Sequence, residues 1–279
     1  MPNFTGDMWY RLKAFLRFYR EAKTKFNVHS PFLYDLLTGV LDINKEFYPF
    51  STLEEARKDL LHDHRKIAVK DYGAGSQVMK DNVREVCRIA STSLSNPRKC
   101  RVLFNLVNHY KCTQVLELGT SLGLSSAYMA SANRLASVVT LEGDENISAI
   151  ARELHSKMKI INVEVVTGPF EETLSGVLHR MTKRPDLVFL DGNHKKEAVI
   201  EYYEAILPFC HDGTVIVVDD IYWSEDMESG WKSLVSRPEI TLSVDLFEVG
   251  LLFFNKSLSR ENHRIFPFKY KPWRIGLFG

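Results

Sequence analysis

Val115-Leu116-Glu117-Leu118-Gly119-Thr120-Ser121-Leu122-Gly123 sets the reading of this 279-residue chain. A short apolar run carries an acid near its end, and two glycines then bracket a small polar turn. Glycine lacks a Cβ and tolerates unusual dihedrals, so such a turn brings bare backbone and a helix N-terminus close to a ligand. Residues 124–132 are mostly small and suit a helix packed closely behind the turn.

Outward from this unit, strands and helices alternate. Strands are expected at 114–118, 137–141, 163–167, 186–190 and 214–218, with helices at 124–132, 145–158, 171–181 and 195–207 between them. Pro208 and Gly213 punctuate the last of these helices. Apolar strands joined by helices predict a parallel sheet covered on both faces. After a helix at about 227–236 the pattern changes. Two β-rich runs, 240–247 and 250–254, are separated only by Glu248 and Val249, a hairpin length and not a crossover. The expectation is an α/β, Rossmann-like unit over 100–255. Its sheet is mostly parallel and seven-stranded, with an antiparallel terminal strand.

The flanks read differently. Residues 1–99 are expected to form an N-terminal helical cap, and 256–279 a basic extension. Met8, Trp9, Leu12, Phe15, Leu16 and Tyr19 make one stripe at helical spacing, with Arg11, Arg17, Arg20 and Lys25 largely off it. The favoured reading is a helix lying on the core or on a second subunit, as in a homodimer. Peripheral membrane contact through residues 1–25 is the alternative. A second helix is expected at 32–41. Residues 42–82 read as irregular because of Pro49, the charged run at His62-Asp63-His64, and Asp71–Ser76. Helical pattern resumes near 83–89 and 100–109. Asp71-Tyr72-Gly73-Ala74-Gly75-Ser76 mimics an acid-glycine cofactor turn, but no strand ending in an acid follows it, and a loop or lid is expected there. His62-x-His64 has the form of a metal pair but reads as surface.

Net charge is only +1, so no nucleic-acid partner is expected, yet the charge is uneven. Residues 1–110 hold 18 Lys+Arg against 12 Asp+Glu, 111–255 hold 12 against 22, and 256–279 hold 6 against 1. Basic flanks packing on an acidic centre explain this, with an anionic substrate or membrane surface as the other reading. No apolar run approaches the ~20 residues of a bilayer span. Arg11, Lys13, Arg17 and Arg20 break up any signal-like N-terminal segment. Cys87, Cys100, Cys112 and Cys210 form no CxxC and read as reduced thiols of a cytoplasmic protein.

Five acid-bearing strand ends carry the chemistry. In the first turn Gly119 and Gly123 are four apart, Thr120 and Ser121 fill it, and Ser125 and Ser126 stand where a dinucleotide GxGxxG would continue. S-adenosylmethionine has no phosphate; its carboxylate and amine call for backbone donors plus a carboxylate acceptor, which Glu117 supplies. Glu142 ends the next strand about 20 residues on, where a ribose diol is met, although an acid there also suits a helix start. Gly168-Pro169-Phe170-Glu171 ends the third strand, with Phe170 placed either against an adenine face or in the core. Asp191-Gly192-Asn193-His194 and Asp219-Asp220 end adjacent strands. Three converging carboxylates repel unless protonated or bridged by a cation, and oxygen ligands suit Mg²⁺, Ca²⁺ or Mn²⁺. The competing reading has one acid capping a helix and another paired with a basic flank residue. His194 is a candidate general base.

Together these residues resemble the class I S-adenosylmethionine-dependent methyltransferases, specifically the catechol-type O-methyltransferase branch, over about 100–255. The resemblance rests on Glu117-Leu-Gly-Thr-Ser-Leu-Gly123-Leu-Ser125, Thr140-Leu-Glu142, Phe189-Leu-Asp191-Gly-Asn-His194 and Val217-Val-Asp219-Asp220. It implies that Glu117, Gly119, Ser121 and Gly123 hold the methionine part of the donor and Glu142 the ribose. Thr120, Ser125, Phe170 and Asp191 complete the expected cofactor set. Metal-dependent members use an Asp after strand four and an Asp-Asn pair after strand five. Asp191 and Asp219 match, but Asp220 replaces the Asn. The branch's catalytic lysine follows the strand-four acid, and Lys195 and Lys196 are shifted from that place. The expected function is O-directed methyl transfer to a small-molecule acceptor, with Asp191 or His194 handling the acceptor proton and a divalent cation at Asp191, Asp219 and Asp220. A non-catalytic binding module and an aminopropyltransferase-like enzyme are the alternatives on the same fold.

Overall fold

The computed structural model describes residues 4–24, 27–42, 44–70 and 83–266. The N-terminal part runs α1 (Phe4–Glu21), α2 (Pro31–Gly39), α3 (Pro49–Leu61), the short antiparallel pair β1 (Lys66–Ala68) and β2 (Val83–Glu85), α4 (Val86–Ser93) and α5 (Pro97–His109). Pro97 sits at the start of α5 behind an Asn96 cap, whose Oδ1 accepts from the Lys99 amide at 2.9 Å. The alternating part follows: β3 (Gln114–Leu118), α6 (Leu124–Ala132), β4 (Ser137–Glu142), α7 (Glu145–Lys157), β5 (Val163–Thr167), α8 (Phe170–Arg180), β6 (Leu187–Leu190), α9 (Lys196–Ile206) and β7 (Val215–Asp219). It closes with α10 (Glu225–Val235), β8 (Leu242–Asp245), β9 (Val249–Phe253) and β10 (Glu261–Arg264).

The large sheet has the order β10-β8-β9-β7-β6-β3-β4-β5, and β9 alone runs against its neighbours β7 and β8. This is the class I methyltransferase arrangement of mostly parallel strands with one reversed strand. It has eight strands where seven were expected, because β10 pairs parallel with β8; the reversed strand β9 lies inside the sheet, between β7 and β8. The extra strand reads Glu-Asn-His-Arg, without an apolar residue, so no hydrophobic alternation announced it. Its backbone pairing is supplemented by Ser243 Oγ donating to Asn262 Oδ1 at 2.7 Å. One residue further on, Ile265 is fully buried.

β3 is central, flanked by β4 and β6, and its side chains alternate between two cores. Leu116 and Leu118 join Tyr202, Tyr203, Trp231 and Leu234 of α9 and α10 on one face. Val115 joins Leu103, Leu106 and Val107 of α5 and Leu36 of α2 on the other. Glu117 follows Val115 by the period of two, so an acid points toward the face that α5 and α6 cover.

Two expectations for the N-terminal part change. Pro49–Leu61 is helical, because Pro49 stands at its first turn, where a missing N–H costs nothing, and Phe50, Leu53 and Leu60 keep helical spacing into a third core cluster. In α1 only the C-terminal end of the apolar stripe packs: Tyr19 is buried and the Phe15 ring stands edge-on to Phe247 with centroids 5.1 Å apart. Ala14 and Phe18 are buried, whereas Met8, Trp9, Leu12 and Leu16 are exposed. Polar anchors turn the helix: Tyr10 and Arg17 both bind Glu228 of α10, Arg17 at 2.6 Å. Among the described residues no helix is long and apolar enough to cross a membrane.

Truncating Leu116, which is fully buried, should cost about 2–5 kcal/mol in urea unfolding, the range for large-to-small changes in packed cores. The same truncation at Ile161, 94 % exposed, should stay within about 0.5 kcal/mol. Equal effects would contradict this assignment of the core.

Candidate functional site

The turn after β3 is fixed by the fold before any ligand is considered. Gly119 has φ +101°, and a Cβ there would lie 1.9 Å from the Asp191 carbonyl oxygen. The ends of β3 and β6 thus approach more closely than any side-chain-bearing residue permits. Gly123, with φ +84°, caps α6, and a Cβ on it would meet Ala151 and His155 of α7 at 2.9 Å. Both glycines therefore serve backbone and helix approach within the protein. Ser121 adopts φ +47° between them, and its amide donates to Glu142 Oε2 at 2.8 Å, tying the first turn to the end of β4.

Glu117 is fully buried. Thr140 Oγ1 donates to its Oε2 at 2.6 Å. Thr140 in turn accepts from Thr120 Oγ1, also at 2.6 Å, since its single proton is already committed. Burial pushes the Glu117 carboxyl up to about 7, against the opposing effect of hydrogen bonds from Ser125 and Thr140. Its Oε1 is buried with no partner among the described residues, an acceptor awaiting a donor. Glu142 is also raised by burial, and its Oε1 accepts from the Asp144 amide at 3.1 Å.

At the neighbouring strand ends the carboxyls of Asp191 and Asp219 influence each other's ionisation, and Asp219 Oδ1 is buried with no hydrogen-bond partner among the described residues. Burial raises both, Asp191 to about 6 and Asp219 well above the ordinary carboxylate range. Lys99 of α5 completes the group, its Nζ 2.6 Å from Asp219 Oδ2, with 9 % and 2 % of the two side chains exposed. Burial alone would lower the Lys99 pKa, but the carboxylates of Asp219, Asp191 and Asp220 overcome this and hold the ammonium charged. Asp220, at φ +49°, is raised by burial and by Asp219. His194 lies near it, half-buried, its ring 5.8 Å from that of Trp223, over which the Arg11 guanidinium sits at 5.1 Å.

A divalent cation does not fit this arrangement. A buried ammonium already occupies Asp219 Oδ2, and a second cation of like sign would have to share or displace it. Among the described residues, the only three potential ligands whose donor atoms all lie within 4.8 Å of one another are His64, Glu85 and Cys87, on the surface. His62 does not join them; its Nδ1 meets the Lys58 carbonyl oxygen at 2.7 Å.

The expected residues thus gather at the carboxyl ends of β3, β4, β6 and β7, with Phe170 at the end of β5. The Phe170 ring stands edge-on to Tyr202 with centroids 5.6 Å apart, over Gly192, where a Cβ would meet it at 2.5 Å. Thr120 lies below the turn and supports Glu117 through Thr140. Lys195 is exposed, and the Lys196 amide donates to Asp226 Oδ2 at 2.8 Å, not to any of the three aspartates. Sequence reasoning missed Lys99, Ser93 and Ser95. Ser93 Oγ lies 3.0 Å from Ser121 Oγ, and Ser95 Oγ donates to Asp191 Oδ2 at 3.4 Å. A signal for Lys99 existed: a cation in the first turn of a helix opposes the helix dipole and needs a reason. The glycine-rich segment at 71–76 lies outside the described residues.

Residues 116–221 match the family model described as a methyltransferase domain. The structure resembles the SAH-bound methyltransferase PaMTH1 of Podospora anserina at TM-score 0.57 and 17 % identity, covering 81 % of this chain and 97 % of that one. It also resembles the Bacillus cereus O-methyltransferase in complex with SAH (TM-score 0.53, 17 % identity, 76 % and 92 % covered). A third likeness is to the O-methyltransferase TomG of Streptomyces achromogenes, in complex with SAM (0.52, 19 %, 75 % and 89 %). Comparison with curated protein sequences gives no significant match. The match to a methyltransferase-domain model thus falls on the part of the chain whose sheet has the class I methyltransferase arrangement.

Because Glu117 holds its proton to about 7 when folded but ionises near 4.5 when unfolded, folding loses stability as pH rises between those values and then levels off. Glu117→Gln removes that loss. The variant should be more stable than the ligand-free parent by about 3 kcal/mol at pH 8 and nearly equal to it at pH 4.5. Denaturant midpoints at the two pH values check this; a variant destabilised at pH 8 would contradict it.

Proposed function

We propose that the chain is an S-adenosylmethionine-dependent methyltransferase acting on an oxygen of a small-molecule acceptor. The observation that carries this reading is the unpartnered, buried Oε1 of Glu117 at the end of the central strand. The donor's ammonium satisfies it and supplies the charge that burial otherwise withholds. Glu142 takes the ribose hydroxyls in exchange for backbone partners, and Phe170 offers its ring edge to the adenine. Ser121, Gly119 and Gly123 shape the turn around the methionine part, with Ser125 beside Glu117.

Methyl transfer is an in-line displacement. The acceptor oxygen forms a bond to the methyl carbon as the S–C bond breaks, and the sulfonium leaves as a neutral thioether. The acceptor's proton passes to His194 or to the Asp191–Asp219 pair, whose position at the strand ends puts it beside the donor site. Most of the rate gain comes from holding donor and acceptor in line. The exposed Met8, Trp9, Leu12 and Leu16 of α1 lie on the helix that carries Arg11 to Trp223, beside His194. Contact of this face with a membrane or with a second copy would bring an acceptor to that rim.

Calorimetry should show S-adenosylmethionine binding one-to-one. Glu117→Gln and Glu142→Ala should each weaken it about 10- to 100-fold, the value of a hydrogen bond to a charged group. Glu117→Gln would then gain stability while losing affinity. Absence of binding would overturn the reading. Tighter binding of the decarboxylated donor would favour aminopropyl transfer, and binding without labelled methyl reaching any acceptor would favour a non-catalytic module.

A further inference from the structure

We propose that Lys99 is the resident cation of the acceptor half of this crevice, doing there the electrostatic work of a divalent metal ion, so that methyl transfer by this chain needs no metal. The inference rests on the methyltransferase reading and deepens it.

Three carboxylates at two adjacent strand ends need positive charge or protons near them. Here the charge comes from within the chain. Lys99 Nζ lies 2.6 Å from Asp219 Oδ2, and both side chains are almost wholly enclosed. A metal ion binds carboxylate oxygens at about 2.0–2.6 Å. To reach Asp219 it must expel a buried ammonium of like sign. Lys99 is held in place from both sides. Its amide is bonded to Asn96 Oδ1 at 2.9 Å, and Asn96 Nδ2 donates to Glu248 Oε2 at 2.9 Å, joining the start of α5 to the hairpin between β8 and β9. The preceding Ser95 reaches Asp191. The segment before α5 is thus fastened to both acidic strand ends.

The consequence for the reaction is specific. When the acceptor hydroxyl gives its proton to His194 or to the carboxyl pair, negative charge develops on the attacking oxygen until the new O–CH₃ bond forms and the neutral thioether leaves. A fixed positive charge at Lys99 favours that oxygen's charge without the cost of binding and dehydrating an ion. Lys99 is a positioning residue: it contacts Asp219, and its charge acts on the attacking oxygen across that carboxyl.

The test is Mn²⁺ binding followed by electron paramagnetic resonance on the SAH-saturated full chain, compared among wild type, Lys99→Gln and the Lys99→Gln/Asp219→Asn double variant. Wild type should bind no Mn²⁺ at these carboxylates. Lys99→Gln should gain one site, and the double variant should lose it again. SAH affinity should change by less than about threefold in Lys99→Gln. Lys99→Arg, which keeps the charge, should exclude Mn²⁺ as wild type does, and it decides the matter if the Gln variant does not fold. Wild type binding one Mn²⁺ that Asp219→Asn abolishes would overturn the proposal. So would a folded Lys99→Gln that gains no site. Failure of wild type to bind SAH is a different result, since it removes the donor reading and not the role of Lys99.

Discussion

The close approach of β3 and β6 at Gly119 is the constraint from which the rest follows. The carbonyl oxygen of Asp191 lies where a Cβ on residue 119 would have to be. The chain can therefore leave the two central strands side by side, with Glu117 and Asp191 on neighbouring ends. From there Ser121 reaches Glu142 through its amide, and the carboxyl ends of four adjacent parallel strands lie on one side of the sheet, where such folds bind ligands. Without that approach the acids would belong to separate loops.

Acids crowded at buried strand ends create an electrostatic problem, and the chain meets it in different ways on its two sides. On the donor side Glu117 stays protonated to about neutral pH, supported by a relay of threonine hydroxyls, with one oxygen left unpaired. At the ends of β6 and β7 the Asp191 and Asp219 carboxyls, both raised by burial, are joined by the Lys99 ammonium. The first arrangement leaves Glu117 Oε1 without a partner among the described residues; the second carries its own cation. Such an unbalanced pair is costly for stability and is characteristic of functional sites.

The core of the fold was legible because its physics is periodic. Apolar strands, the glycine turn and the short spacing between the last two β-rich runs specify a mostly parallel sheet with a reversed strand. The donor-side acids were legible too, since each ends a strand that the pattern defines. What escaped the sequence lacks periodicity. β10 is polar throughout and is held by its backbone, while α1 packs through Ala14 and Phe18 because Tyr10 and Arg17 bind an acid more than two hundred residues away. Lys99 belongs to the same class: its partner Asp219 is 120 residues distant, and only the odd placement of a cation in a helix's first turn hints at it. The basic surplus of the N-terminal flank and the acidic surplus of the centre do meet, in this buried pair.

The N-terminal segment is thus part of the site as well as a covering for the sheet. Ser93 touches the glycine turn, Ser95 and Lys99 touch the acidic pair, and Arg11 lies on Trp223 at the rim. The most direct measurement of the central claim is a crystal structure with SAH bound. The account predicts its amino group on Glu117 Oε1, directly or through one water, and its ribose hydroxyls on Glu142. SAH bound away from these strand ends, or bound there with Glu117 Oε1 still unpartnered, would contradict it.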